Sequence, residues 1–181
     1  MNRRLAEGFS ADIVPTERPP VRAVVALGAN LGDRAATLNA ALADLQALPL
    51  VDGVRASALV ESVAVKPEGP DADAPAYLNA VALVTTRLAP SMLLAFLKAI
   101  ETRHGRKRRE RWGDRTLDLD LIAYGDVVSR DGVLTLPHPR AAERDFVLEP
   151  WLSIDPDAEI PGAGRVDALL EALRGSRRGT S

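Results

Sequence analysis

Leu117-Asp118-Leu119-Asp120-Leu121 alternates strictly between leucine and aspartate. A period of two is the pattern of a strand with one face buried and the other open. The leucines then face a core, and the two carboxylates point together toward the opposite side, roughly 7 Å apart at Cα. The segments before this strand decide what sheet it joins. Val21 to Leu27 (VRAVVAL) is short and β-branched and ends at Gly28, so it reads as a buried strand. Gly28 to Asp33 is a turn. Arg34 to Leu48 carries Leu38, Leu42, Leu45 and Leu48 at helical spacing, with Asp33 as a plausible N-cap. Val54 to Glu61 reads as a second strand and Leu78 to Arg87 as a third. Pro90 to His104 is a second helix, with proline in its first turn, an apolar stripe of Leu93, Phe96, Leu97 and Ile100, and Gly105 as its stop.

With Leu117 to Leu121 as the fourth strand, the order is β-α-β-β-α-β. That order is the signature of an α+β, ferredoxin-like sandwich, an antiparallel sheet with both helices on one face. Ser62 to Ala76 holds Pro67, Gly69, Pro70 and Pro75 with three acids and is expected to be a long loop, a length that tends to be functional. Beyond the fourth strand, Val127 to Leu136 resembles a hairpin, Ala141 to Trp151 a return segment, and Val166 to Leu173 a short terminal helix. One domain over 21–173 is expected, with a flexible lead-in at 1–20 and a flexible tail at 174–181.

Bulk composition narrows the chemistry. The chain has 181 residues, 46% of them hydrophobic, enough for one real core. A net charge of -2 argues against a general nucleic-acid binder. The absence of cysteine removes thiolate metal sites and cysteine nucleophiles and fits a cytoplasmic location. No apolar run approaches the roughly 20 residues that span a bilayer, and residues 1–20 hold no signal-peptide core.

The chemistry concentrates around Arg111-Trp112-Gly113-Asp114-Arg115-Thr116-Leu117-Asp118-Leu119-Asp120. Two carboxylates this close repel unless a cation lies between them. Hard oxygen donors suit Mg²⁺, which also binds phosphate oxygens. A sheet with two solvated aspartates would look the same in isolation. Arg103 to Arg115 adds seven Lys or Arg residues. Guanidinium forks match phosphate oxygens, although a solvated charge run or a nucleic-acid patch has the same composition. Trp112 could stack on a flat heterocycle or plug the loop. Tyr77 and Asn79 share a strand face, and an Asn amide offers a paired donor and acceptor to a heterocycle edge. His104 reads as a helix cap. His138 sits in the rigid turn Leu136-Pro137-His138-Pro139-Arg140. No Ser-His-Asp set can be assembled.

In order along the chain, Ala26 to Asp33, Tyr77-Leu78-Asn79-Ala80, Arg111 to Asp120, and Leu134 to Arg140 resemble four motifs of the 6-hydroxymethyl-7,8-dihydropterin pyrophosphokinase family. These are its GSNLGD turn, its FLN or YLN strand start, its RWGPRTLDLD signature and its LxxPHP segment. Asp114 stands where the signature has proline, and Ser62-Val63 where members often have Thr-Pro or Thr-Ala. The resemblance spans about residues 22–160. It implies transfer of diphosphate from ATP to the pterin hydroxymethyl group, with AMP leaving, on the route to folate.

The resemblance also implies roles. Asp118 and Asp120 hold two Mg²⁺ ions that bridge the ATP phosphates. Trp112 and Phe146 sandwich the pterin, Asn79 reads its polar edge with Tyr77 nearby, and Ser62, Val63 and Val65 add contacts. Arg106 and Arg108 lie on a catalytic loop. Arg115, His138 and Arg144 contact phosphates, with Lys98, Glu101, Leu121 and Thr135 around the nucleotide. All these elements fit in one subunit, so a monomer with small-molecule partners is expected, without nucleic acid or membrane. An RNA-binding ferredoxin-like module and an inactive paralogue are the alternatives. The first would want aromatic residues on the sheet face.

Overall fold

Strand β1 (Val21–Ala29) lies inside a sheet in which every neighbouring pair of strands is antiparallel. The computed structural model describes residues 18–66, 69–71, 75–105 and 116–178. After β1 come α1 (Arg34–Gln46), β2 (Val51–Ala56), β3 (Val60–Ser62), β4 (Ala64–Lys66), β5 (Gly69–Asp71), β6 (Tyr77–Thr86), α2 (Pro90–Arg103) and β7 (Asp118–Tyr124). The main sheet runs β2-β6-β1-β7, and β3 also pairs with β6. This is the α+β, ferredoxin-like arrangement expected from the order of elements.

Local chemistry explains the boundaries. Asp33 Oδ1 accepts from Ala36 N at 2.9 Å, which caps α1. Gly32 has φ +64°, the left-handed conformation the turn into α1 requires. Pro90 opens α2, and Gly105, at φ +83°, follows its C-cap residue His104. The helices α1 and α2 bury Leu38, Leu45, Leu93, Leu97 and Ile100 against Val25, Leu27, Leu119 and Leu121 of the sheet. Leu117, Leu119 and Leu121 all face this core, as the alternation required.

Four features depart from the sequence reading. The second strand is two, β2 and β3, because Ser57 interrupts it. Its backbone N donates to Val81 O at 2.9 Å, its hydroxyl accepts from Val81 N at 3.0 Å and donates to Ala58 O at 2.8 Å, so a side chain takes a place in the ladder. The expected loop 62–76 contains a hairpin, β4 against β5, with Val65 opposite Pro70 and Lys66 opposite Gly69. Proline fits there because a two-stranded ribbon is all edge. The last helix runs past Leu173, as α4 (Val166–Arg178). The opposite sheet face is also covered. After the small hairpin β8 (Ser129–Arg130) and β9 (Thr135–Leu136), a 3₁₀ turn (Ala141–Glu143) leads into α3 (Asp145–Ile154). Another small hairpin, β10 (Glu159–Ile160) with β11 (Gly164–Arg165), leads into α4. Val147, Leu148 and Trp151 of α3 and Val166 and Leu170 of α4 bury with Val24, Val81, Leu83 and Ile122. The result is three layers.

Strand β7 carries a bulge. Val24 pairs with Ala123 but Val25 with Leu121, which leaves Ile122 as the extra residue. Its carbonyl accepts from His138 N at 2.8 Å. The bulge thereby ties the turn after β9 to the strand that carries both aspartates.

Candidate active site

Side chains of directly paired residues share a sheet face. Gly28 pairs with Asn79 on one side and Asp118 on the other, and Asn79 pairs with Val60. One residue row further, Ala26 lies between Val81 and Asp120. Asn79, Asp118 and Asp120 therefore occupy one face, the face that α3 and α4 cover further along. Strand spacing puts Asn79 and Asp118 about 10 Å apart at Cα. Between them Gly28 forms a floor without a side chain. A Cβ there would come within 3.3 Å of Asn79 Oδ1 and 3.7 Å of Tyr77 Cδ1. Sequence reading placed Gly28 only in a turn. Its place inside a strand, where glycine marks a close approach, was the available signal.

Asn79 is buried, and its Nδ2 donates to Ser62 Oγ at 2.8 Å and to Val60 O at 3.4 Å. Its carbonyl oxygen overhangs Gly28. Tyr77 pairs with Ser62 and stands on the same face.

On the other side of the floor, Asp120 Oδ2 accepts from Arg144 Nη1 at 3.1 Å. The guanidinium also lies 5.7 Å from the centre of the Phe146 ring, within cation-π range. His138 Nε2 lies 3.9 Å from Asp120 Oδ2, and His138 Nδ1 accepts from Arg140 N at 3.2 Å. Neutral His138 therefore carries its proton on Nε2, toward Asp120. Burial pushes this imidazole below its ordinary 6.5. Asp120 and Asp118 pull it up, and Arg144 and Arg140 push it down further.

Lys98 and Glu101 face the backbone of β7. Glu101 is 1% exposed and accepts from Leu119 N at 2.8 Å. Lys98 Nζ lies 3.3 Å from both Glu101 oxygens and donates to Leu119 O at 3.4 Å. β7 is an edge strand, and this pair closes its outer edge between the two aspartates. The Leu121 side chain is buried in the core under α1 and α2. Thr135 is exposed on β9 and donates to Asp131 O. Val63 is exposed and Val65 lies in β4. Arg106, Arg108, Trp112 and Arg115 lie outside the described residues.

The donor set has the hardness magnesium prefers, two carboxylates on one strand face. Among the described residues, no group of three or more His, Cys, Asp or Glu side chains could hold a metal ion. Two carboxylates are too few to cage magnesium but suit an ion whose other ligands are phosphate oxygens and water. Among the described residues no helix is long and apolar enough to cross a membrane.

Residues 24–156 match the family model described as 7,8-dihydro-6-hydroxymethylpterin-pyrophosphokinase. A Synechocystis protein named 2-amino-4-hydroxy-6-hydroxymethyldihydropteridine pyrophosphokinase is 41% identical over 166 residues, which covers 90% of this chain and 83% of that protein. A Haemophilus influenzae protein of the same name is 39% identical over 151 residues, 83% of this chain and 92% of its own. Among solved structures, Plasmodium falciparum HPPK-DHPS with STZ-DHP superposes with a TM-score of 0.69 at 13% identity over 94% of this chain. An HPPK-DHPS in complex with substrates gives 0.69 at 12% over 89%. The chain spans 48% and 44% of those two longer chains. At such identity the likeness speaks for the fold.

Proposed function

The chain belongs to the 7,8-dihydro-6-hydroxymethylpterin-pyrophosphokinase family, and on that premise we propose how its residues divide the reaction. It is a diphosphotransferase of folate biosynthesis that uses ATP as co-substrate. The hydroxymethyl oxygen of 6-hydroxymethyl-7,8-dihydropterin forms a bond to the β-phosphorus of ATP. The bond from that phosphorus to the α-phosphate bridging oxygen breaks, AMP leaves, and the hydroxyl proton is lost.

Asp118 and Asp120 are the residues that would hold magnesium together with the triphosphate oxygens. Magnesium held there would supply neutralisation of phosphate charge and a lower pKa for a coordinated hydroxyl. Arg144 and His138 converge on Asp120 and reach the phosphates from the N-cap of α3 and from the turn after β9. On the pterin side, Ser62 holds the Asn79 amide so that its oxygen faces the floor at Gly28 and accepts from the pterin amino group. Tyr77 and Phe146 offer aromatic walls. Trp112, Arg106, Arg108 and Arg115 keep the roles the family motif implies, stacking and phosphate contact. Lys98 and Glu101 act through Leu119. Most of the acceleration comes from positioning and electrostatics. A monomer acting in the cytoplasm completes the proposal.

The observation that carries this reading is the single residue row Asn79–Gly28–Asp118. It supports the reading because an amide and a carboxylate share one face with only a glycine between. An RNA-binding module is disfavoured, since without a cation between them paired carboxylates repel phosphates. The test is product analysis with ATP, the hydroxymethyl dihydropterin and Mg²⁺. AMP is expected only when all three are present. ADP as the nucleotide product, or AMP without the pterin, would contradict the assignment.

A further inference from the structure

Arg34 belongs to none of the motifs above, yet its guanidinium spans two distant pieces of chain. Nη1 donates to the carbonyl of Ala76 at 2.7 Å and Nη2 to Glu61 Oε1 at 2.9 Å. Glu61 directly precedes Ser62, and Ala76 directly precedes Tyr77. Ser62, the last residue of β3, and Tyr77, the first of β6, form the terminal pair of their ladder. Between them runs the segment that carries the hairpin β4–β5, whose strands, among the described residues, pair only with each other. The stems at Ser62 and Tyr77 therefore set how that segment sits relative to the sheet. Arg34 grips both stems at the point where the segment leaves and returns. Its own position is fixed at the first turn of α1 by the Asp33 cap.

We propose that Arg34 is a positioning residue for the pterin half of the site. By clasping the Glu61 and Ala76 stems it holds Ser62, Tyr77 and, through Ser62, the Asn79 amide in register, without touching substrate. The inference rests on the assignment of Asn79, Ser62 and Tyr77 to the pterin. The two arms differ in weight. The Ala76 arm is a partly buried, charge-assisted bond to a backbone carbonyl. The Glu61 arm ends on a side chain 65% exposed, where an ion pair contributes little.

The experiment compares Arg34→Ala, Arg34→Lys, Glu61→Gln and Asn79→Ala. It measures steady-state kinetics, pterin binding by calorimetry with a non-hydrolysable ATP analogue present, and melting temperature. Arg34→Ala is expected to raise the pterin Kd and KM about tenfold, the scale of one lost charged hydrogen bond. Its kcat and its KM for ATP stay within about twofold of wild type. Arg34→Lys recovers part of the loss, because a lysine lacks the fork that reaches both acceptors. Glu61→Gln stays close to wild type. Unchanged pterin affinity in Arg34→Ala, with pterin binding lost in Asn79→Ala, would refute the clasp and leave the pterin face standing. A loss in Arg34→Ala that falls equally on kcat and ATP would also refute it, as general destabilisation. Undiminished pterin affinity in Asn79→Ala would overturn the underlying assignment and the clasp with it.

Discussion

Replacing Glu101 by leucine or by glutamine separates two jobs this carboxylate could do. The side chain is 1% exposed and accepts from Leu119 N at 2.8 Å. Leucine keeps the volume but strands that N–H in a buried setting, which costs about 1–3 kcal/mol. It also removes the partner of Lys98. That ammonium is 40% exposed, so its release adds at most about 1 kcal/mol. The sum is about 1–4 kcal/mol, or a melting temperature lower by about 2–16 °C in a domain of this size. Glutamine keeps an oxygen for Leu119 N and loses only the charge, so it should cost about 1 kcal/mol or less. Urea unfolding of the three proteins without ligands gives both numbers, and turnover at saturating substrates accompanies it. Glu101→Gln should retain most of its activity and its KM for ATP, because the carboxylate faces the strand. Equal destabilisation by the two variants would show that charge, not the bond to Leu119, matters. A leucine variant as stable as wild type would refute the edge-closing role altogether.

Gly28→Ala should weaken pterin binding several-fold with little loss of stability, since the new methyl lies 3.3 Å from Asn79 Oδ1 and displaces that amide; calorimetry and a melting curve check both halves. His138 is held below its ordinary 6.5 by burial first, so the unfolded chain binds its proton at a higher pH than the folded one does. The stability it contributes is complete above about pH 6.5 and falls as the pH drops toward the lowered folded value. With divalent cations chelated, His138→Gln should flatten the decline of the urea midpoint between about pH 6.5 and 5, and an unchanged slope would refute this. Among the described residues the buried Trp151 Nε1 has no hydrogen-bond partner, so Trp151→Phe should cost less than about 1 kcal/mol beyond its lost area, measured by urea unfolding.

What could be read from the sequence was local. The Asp33 cap, the Pro90 start and the leucine stripes of α1 and α2 depend on neighbours within four residues and took their expected places, except that α1 ends at Gln46, before Leu48. The alternation at Leu117 to Leu121 located both carboxylates on one face. Features set by distant partners were hidden. The break at Ser57 depends on Val81, 24 residues away. The hairpin β4–β5 was masked by its own Pro70 and Gly69, which mark loops in most contexts. The Ile122 bulge shows only in the pairing with β1. Glu101 was expected beside the nucleotide by resemblance, but its bond to Leu119 is a tertiary fact that spacing does not encode. Arg34 reaches partners 27 and 42 residues on, and no local pattern signals that.

The most direct measurement is calorimetric titration of a non-hydrolysable ATP analogue into wild type and into Asp118→Asn, Asp120→Asn protein, with and without Mg²⁺. Without the cation, wild type should bind the analogue more weakly than the variant, because two carboxylates repel the triphosphate. Added Mg²⁺ should tighten wild type at least about tenfold and leave the variant nearly unchanged. An equal gain from Mg²⁺ in both proteins would mean that these aspartates do not hold the metal.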